Sequence, residues 1–401
     1  MKFENVFIPY GCYWSTPFVK WQGKLADQHS LKFLASSAKM ALADKQIDLA
    51  DLDALHLGTT IPQAASFWGA PWVAAMMGAP EITGPTISQA CATSARTIAS
   101  AASEIETESA TAVLACAGDR TSNGPHLYYP DPHGAGGRGF AEDWVWDNFN
   151  NDPYARVAMV ETAENTAHSH QITRADQDEL ALRRYEQYQQ ALDNDRAFQK
   201  RYMLSPLELP GLTRKSPAIT ILSDEGVPQT TREGLAALKP VKENGTVTYG
   251  TQTHPADGNA GLLVASRDKA RALTGQSTAP EVQLLSFAQA RAPKAHMGQA
   301  PVPAAIAALA AIDLDMSQIK VVKTHNPFVV NDLYFSRELN FPTEAMNNYG
   351  SSLIFGHPQG PTGLRLIIEM IEELEILGGG YGLFTGCAAG DSAAAVIVKV
   401  D

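Results

Sequence analysis

The stretch that most constrains this chain is its last one, residues 347–400, where a glycine-rich loop, an apolar helix and a strand follow closely on one another. It reads N-N-Y-G-S-S-L-I-F-G-H-P-Q-G-P-T-G-L-R, and, past a Gly378-Gly379-Gly380 stop, Y-G-L-F-T-G-C-A-A-G-D. Gly356-His357-Pro358 sets a histidine in a loop whose backbone shape, not a core, decides its direction. Pro361-Thr362 opens a helix, and Leu364, Ile367, Ile368, Ile371 and Leu374 recur at helical spacing, so one face is expected to be buried. Tyr381 to Thr385 reads as a short buried strand, with Cys387 just past its end beside Gly386 and Gly390. A helix and a returning strand bring His357 and Cys387 to one edge of a sheet, the edge where open α/β sheets carry their chemistry.

The first half repeats this grammar. Leu55 to Gly58 is strand-like, Pro71 to Met77 a short helix, and Gly84 to Ser88 a strand leading into Gln89-Ala90-Cys91-Ala92-Thr93-Ser94. Small residues from Ala92 to Ala102 suit a helix packed inside the molecule, and Thr111 to Gly118 reads as a buried strand. Upstream, Val6 to Pro9 is a strand candidate and Gln28 to Leu42 a helix. Cys91 therefore sits where a strand turns into a helix, and a helix N-terminus is expected to lower a thiol's pKa toward the nucleophilic thiolate. Cys12 and Cys116 read as small buried hydrophobes.

Between the halves the composition shifts. Residues 121–152 are rich in Gly, Pro, Asn and aromatics, and irregular stretches of this length are usually functional or interfacial. Tyr128, Tyr129, Trp144 and Trp146 suit a cover over a substrate and a subunit contact equally well. Met159 to Ser169 reads as a helix, and a second begins with Thr173 as N-cap and Asp176 three residues on. In the second half Lys320 to Thr324 is a strand, followed by His325-Asn326-Pro327-Phe328.

Charge and cysteine usage exclude several function classes. A net charge of −12 argues against a nucleic-acid footprint. The 4 cysteines lack C-x-x-C spacing, so neither a zinc site nor a disulfide framework is read, and a reducing, cytoplasmic setting is expected. The N-terminus does not read as a signal peptide, and no apolar run reaches the about 18 residues of a membrane span.

The Q-x-C before a small-residue helix, the G-H-P loop and the Gly-flanked Cys387 together resemble the thiolase family. M-V-E-T-A-E-N-T-A with I-T-R-A-D-Q-D-E-L-A-L-R, and residues 223–240, resemble that family's inserted loop domain. The resemblance implies an α/β fold in five α-β-α-β-α layers, made of two similar halves and an insertion. The halves would be 1–119, completed by 246–270, and 271–401, with 120–245 the loop domain that binds coenzyme A.

It further implies thiolytic cleavage of 3-ketoacyl-CoA, or the reverse Claisen condensation, through an acyl-cysteine. Cys91 would be acylated and His357 would activate it. Cys387 would move the α-proton, and His325 would help hold the enolate. Backbone N–H groups of Cys91 and Ala389 would receive the oxyanion. Met159, Thr253, Met297, Phe328 and Arg214 would contact the substrate or coenzyme A. Coenzyme A would be substrate and product with no bound cofactor and no metal, and the subunits would pair as a homodimer or homotetramer, with a possible accessory subunit. His254 reads as a surface loop histidine.

The chain departs from the family pattern at Ala158, at Asn326 and at Ala388-Ala389. Two other readings therefore stay open: a ketoacyl-synthase-like condensing enzyme, and a non-catalytic thiolase-like subunit that binds acyl-CoA or scaffolds a partner.

Overall fold

The computed structural model describes residues 1–211, 215–275 and 278–401. Two sheets face each other across a pair of buried helices. In the first sheet the strand order is Tyr13–Ser15, Ala256–Ala265, Ala112–Arg120, Ala54–Gly58 and Thr86–Ile87, with Val19–Lys20 also paired to Ala256–Ala265. In the second it is Val282–Arg291, Ser392–Val400, Gly380–Ala388 and Ile319–His325. Helices Thr93–Glu106 and Thr362–Ile376 contact each other between the sheets. Ser30–Asp44 and Gly69–Met77 cover the outer face of the first sheet, and Pro301–Ala310 that of the second. The layers run α-β-α-β-α.

The central layer explains a departure from the sequence pattern. Periodicity assigned helix Thr362–Ile376 one buried face, yet every residue from Thr362 to Leu374 is buried. A helix between two sheets has no solvent side, so Arg365, Glu369, Glu372 and Glu373 are enclosed and must be paired. Glu373 pairs with Lys323 of the second sheet at 3.0 Å, and the others are tied to the insertion. Arg365 forks onto Asp224 at 2.6 and 2.8 Å and bonds Glu369 at 3.0 Å. Arg201 reaches Glu372 at 2.5 Å, and Arg184 pairs with Asp332 at 2.9 Å. Removing one member of such a buried pair typically costs about 3–5 kcal/mol, so these contacts fix the insertion on the core.

Within the insertion, helix Met159–Ser169 forms as read, and helix Arg174–Arg196 begins where its cap predicts. The Thr173 hydroxyl accepts the Asp176 N–H and the Asp176 carboxylate accepts the Thr173 N–H, a reciprocal cap worth about 1 kcal/mol.

Other boundaries moved. Val6 to Pro9 is no strand: Phe7 makes only isolated bridges to Ala265 and Gln283. Cys387 lies inside its strand, because Ser392–Val400 pairs with Gly380–Ala388 through its whole length. Gly386 serves close approach there, since a Cβ on it would meet His325 Cβ at 2.8 Å. His325 is likewise the last residue of its strand and pairs with Gly386. The long strands Val282–Arg291 and Ser392–Val400 had no reading from the sequence.

Candidate active site

Cys91 is delivered by a tight turn. Ala90 adopts φ +45°, and the Thr93 hydroxyl clamps the turn by accepting the Gln89 N–H at 2.8 Å and donating to the Ala90 carbonyl at 2.6 Å. The helix begins at Thr93, just beyond. The expected lowering of the thiol pKa does not follow. Burial pushes the Cys91 thiol up to about 12, outweighing the Ala389 and Cys91 backbone N–H groups that favour the thiolate. Ionising this sulfur therefore calls for a base at the moment of attack.

His325 and His357 stand beside it. Their rings stack with centroids 4.0 Å apart, and one donor atom from each of Cys91, His325 and His357 lies within 4.8 Å of the others. Each ring is held by a hydroxyl at Nδ1: Ser352 at 2.9 Å from His325, Thr362 at 2.6 Å from His357. Each Nε2 is buried without a hydrogen-bond partner. Burial lowers the His325 pKa to about 3. Burial and then neighbouring His325 hold His357 well below the usual imidazole range, while the Gln359 side chain pulls the other way. Both rings are neutral near pH 7, able to take or give one proton. The same sulfur and two nitrogens have the donor chemistry of a soft-metal site.

Cys387 completes the group from the opposite strand. It is fully buried, and the Asn331 side-chain amide donates to its sulfur at 3.1 Å. Burial, then the charge of Cys91, raise its pKa well above the ordinary thiol value, and Asn331 lowers it. The structure thus brings Cys91, His325, His357 and Cys387 together. Ala389 keeps its backbone N–H toward Cys91 without a left-handed conformation, which falls instead on Gly390 at φ +82°.

A cavity of about 440 Å³ opens beside the nucleophile, walled by Ala90, Gln359, Ala389, Met159, Met297 and Trp144 among others. The Trp144 indole N–H donates to the Thr60 carbonyl at 2.9 Å, so this aromatic belongs to the cavity wall. Tyr128, Tyr129 and Trp146 are exposed.

Thr253 and Phe328 are not among the lining residues. The Thr253 hydroxyl donates to the Ser352 carbonyl at 2.5 Å, and Phe328 is buried in the cluster that holds Met297 and Cys387. Arg214 lies outside the described residues.

His254 is half-buried rather than exposed, with its Nε2 enclosed. Its ring packs against the G-H-P loop, where a Cβ on Gly356 would meet His254 Nε2 at 2.8 Å, and its carbonyl accepts the His357 N–H at 2.9 Å. Asn326 supports the site from behind, donating to Asp332 at 2.7 Å and accepting the Leu353 N–H at 3.2 Å and the hydroxyl of Ser352, which holds His325, at 3.3 Å. Sequence reasoning missed Asn331, Ser352, Thr362 and Asp119, which hold the reactive side chains or their loops. Asp119 carried a signal as a carboxylate near the end of an otherwise apolar strand, and Thr362 as the start of its helix.

Comparisons with known proteins point to one family. Family models described as the thiolase N-terminal domain and the thiolase C-terminal domain match residues 14–268 and 278–400. Human mitochondrial 3-ketoacyl-CoA thiolase is 28% identical over 389 residues, covering 96% of each chain. Acetyl-CoA acetyltransferase of Escherichia coli K12 is 27% identical over 390 residues, again covering 96% of each. Among solved structures, acetyl-CoA acetyltransferase of Bacillus anthracis superposes with a TM-score of 0.90 at 26% identity, covering 100% of both chains. The human mitochondrial 3-ketoacyl-CoA thiolase in complex with CoA gives 0.88 at 27% identity, covering 99% of this chain and 98% of that one.

Proposed function

The chain belongs to the thiolase family of acyltransferases, and from that premise we propose that it makes or breaks the carbon–carbon bond of a 3-ketoacyl-CoA through an acyl group carried on Cys91. The observation that carries this reading is the meeting of Cys91, His325 and His357 within 4.8 Å, with Cys387 close enough to feel the charge of Cys91.

In the first half-reaction Cys91 gives its proton to His357 as the sulfur attacks the thioester carbonyl. The oxyanion is received by the N–H groups of Cys91 and Ala389. The C–S bond to coenzyme A then breaks, and the departing thiolate takes the proton back from His357. In the second, Cys387 as its thiolate takes the α-proton of another acyl-CoA, and the imidazoles hold the enolate oxygen while its carbon attacks the acyl-cysteine; the C–S bond to Cys91 breaks, and the Cys91 thiolate recovers the proton from Cys387, restoring both cysteines. Thiolysis is the reverse, with Cys387 protonating the departing enolate.

A second, buried, amide-bonded cysteine facing the nucleophile favours this over a ketoacyl-synthase-like reaction, which has no use for it. The assembled cluster favours an enzyme over a scaffold. Coenzyme A would be substrate and product, with Met159 and Met297 along the path of its pantetheine arm. Exposed Phe67 and Trp68 (90% and 64%) support a surface for a second copy in a homodimer or homotetramer. The four free cysteines suit the cytoplasm.

The test is cleavage of acetoacetyl-CoA with free coenzyme A, followed by intact-protein mass after mixing with acetyl-CoA. Cys91→Ser should lose both turnover and the acetyl adduct, and Cys387→Ala should keep the adduct and lose turnover. An adduct that persists in Cys91→Ser would overturn the assignment.

A further inference from the structure

The thiol of Cys91 is not bonded to either histidine. It donates to Gln359 Oε1 at 3.3 Å, and Gln359 stands in the cavity wall beside it. Gln359 is held there by its backbone. It adopts φ +65°, a left-handed conformation that a residue with a Cβ keeps only when its surroundings impose it. Those surroundings are the Gly360 N–H bonded to Asp119 at 2.8 Å and the Gln359 carbonyl accepting the Thr362 N–H at 3.3 Å. The residue is 7% exposed, all but enclosed between Cys91 and the cavity.

We propose that Gln359 is a positioning residue that keeps Cys91 as a hydrogen-bonded neutral thiol until an entering thioester displaces the amide. A carbonyl acceptor holds the proton on sulfur; His357 Nε2, left without a partner, is the base that takes it once the amide has moved. The enzyme would then arm its nucleophile only when substrate is in the cavity, and would stay slow toward oxidants and alkylating agents when empty. The titratable groups facing Cys91 are His325, His357, Cys387 and Asp119, and none of them donates to or accepts from its sulfur.

This rests on Cys91 as the acylated residue, but its test reads the thiol directly. Alkylation of Cys91 by iodoacetamide, without acyl-CoA, is followed by peptide mass against pH in the wild type, Gln359→Met and Gln359→Glu. Methionine keeps the length and removes the acceptor; glutamate keeps the acceptor and adds a charge. Gln359→Met should alkylate about fivefold faster at pH 7.5, the worth of one hydrogen bond, with its profile shifted to lower pH. Gln359→Glu should alkylate more slowly than wild type. A merely structural Gln359 would move the melting temperature but not these profiles. Alkylation of folded Gln359→Met at or below the wild-type rate would overturn the proposal. Loss of acetyl labelling at Cys91, with these rates as expected, would fault the acyl-cysteine assignment instead.

Discussion

The Asp119 carboxylate accepts the backbone N–H of Gly360 at 2.8 Å, joining the end of a strand in the first sheet to the loop that carries His357. Its oxygens also accept the Thr60 and Ile61 N–H groups and the Thr59 and Thr60 hydroxyls. One buried side chain therefore sets the wall of the cavity at Thr60-Ile61 and the loop on the far side of Cys91.

Asp119→Asn should be costly. All the groups around it are donors, so the new amide NH₂ would face N–H groups and leave at least one unbonded. That predicts a loss of about 1–3 kcal/mol, measured by urea denaturation, with a larger fall in turnover than in stability because the His357 loop shifts. Wild-type stability together with wild-type turnover would contradict this role.

Stability should depend on pH with a slope that can be assigned. His325 titrates near 3 when folded and near 6.5 when unfolded, and His357 is depressed in the same direction. Between these values the unfolded chain binds more protons, so the stability present above pH 6.5 is lost as pH falls toward 3. Asp119 acts oppositely: burial raises its pKa from 3.8 to about 6, so it weakens the fold as pH rises through that window. His325→Asn should flatten the acid slope by about 1.4 kcal/mol per pH unit between pH 4 and 6, and Asp119→Asn should steepen it. Unchanged slopes in both variants would remove these residues from the acid response.

How far the site was legible in the sequence follows from where its information lies. Cys91, His357 and Cys387 stood in punctuated motifs, and the helices at Thr362 and Thr173 carried their own periodicity and caps. Asn331 had no such marker. It lies one turn into helix Val329–Leu339, and only the approach of strand Gly380–Ala388 gives its amide a sulfur to bond. The Cys91 pKa was misjudged for a related reason: a helix terminus is visible in sequence, whereas enclosure between two sheets is a tertiary property. Glycines also misled. Gly386 stood in the sequence as a flank of Cys387 past the end of a strand, whereas it lies within the strand and lets His325 come close.

Asn331→Ala should separate the two half-reactions. The hydrogen bond from the Asn331 amide, together with a backbone N–H, lowers the Cys387 pKa against burial and the nearby Cys91 charge. Without it, removal of the α-proton should slow by about tenfold or more, the usual worth of a bond to a charged group. The pH profile of condensation should move to higher pH. Acetylation of Cys91 should be spared, so intact mass should find the acyl-enzyme accumulating. Equal slowing of acetylation would mean that Asn331 holds the pocket rather than Cys387.

The hydroxyl of Thr362, 2.6 Å from His357 Nδ1, sets which nitrogen carries the proton. When the hydroxyl accepts from Nδ1–H, Nε2 is free to take the Cys91 proton. When it donates to Nδ1, Nε2 bears the hydrogen and can support an enolate oxygen. A rotating hydroxyl thus lets one neutral imidazole serve both half-reactions, which a carboxylate at this position would not permit, since it only accepts. Thr362→Val keeps the shape of this buried side chain and removes the rotor. It should lower kcat/KM by about tenfold or more for both acylation and condensation, while Thr362→Ser restores most of the loss. The readouts are burst acylation by acetyl-CoA and steady-state thiolysis across pH. If valine slows only one half-reaction, the hydroxyl has a single fixed orientation; if serine fails to rescue, the methyl group rather than the hydroxyl positions His357.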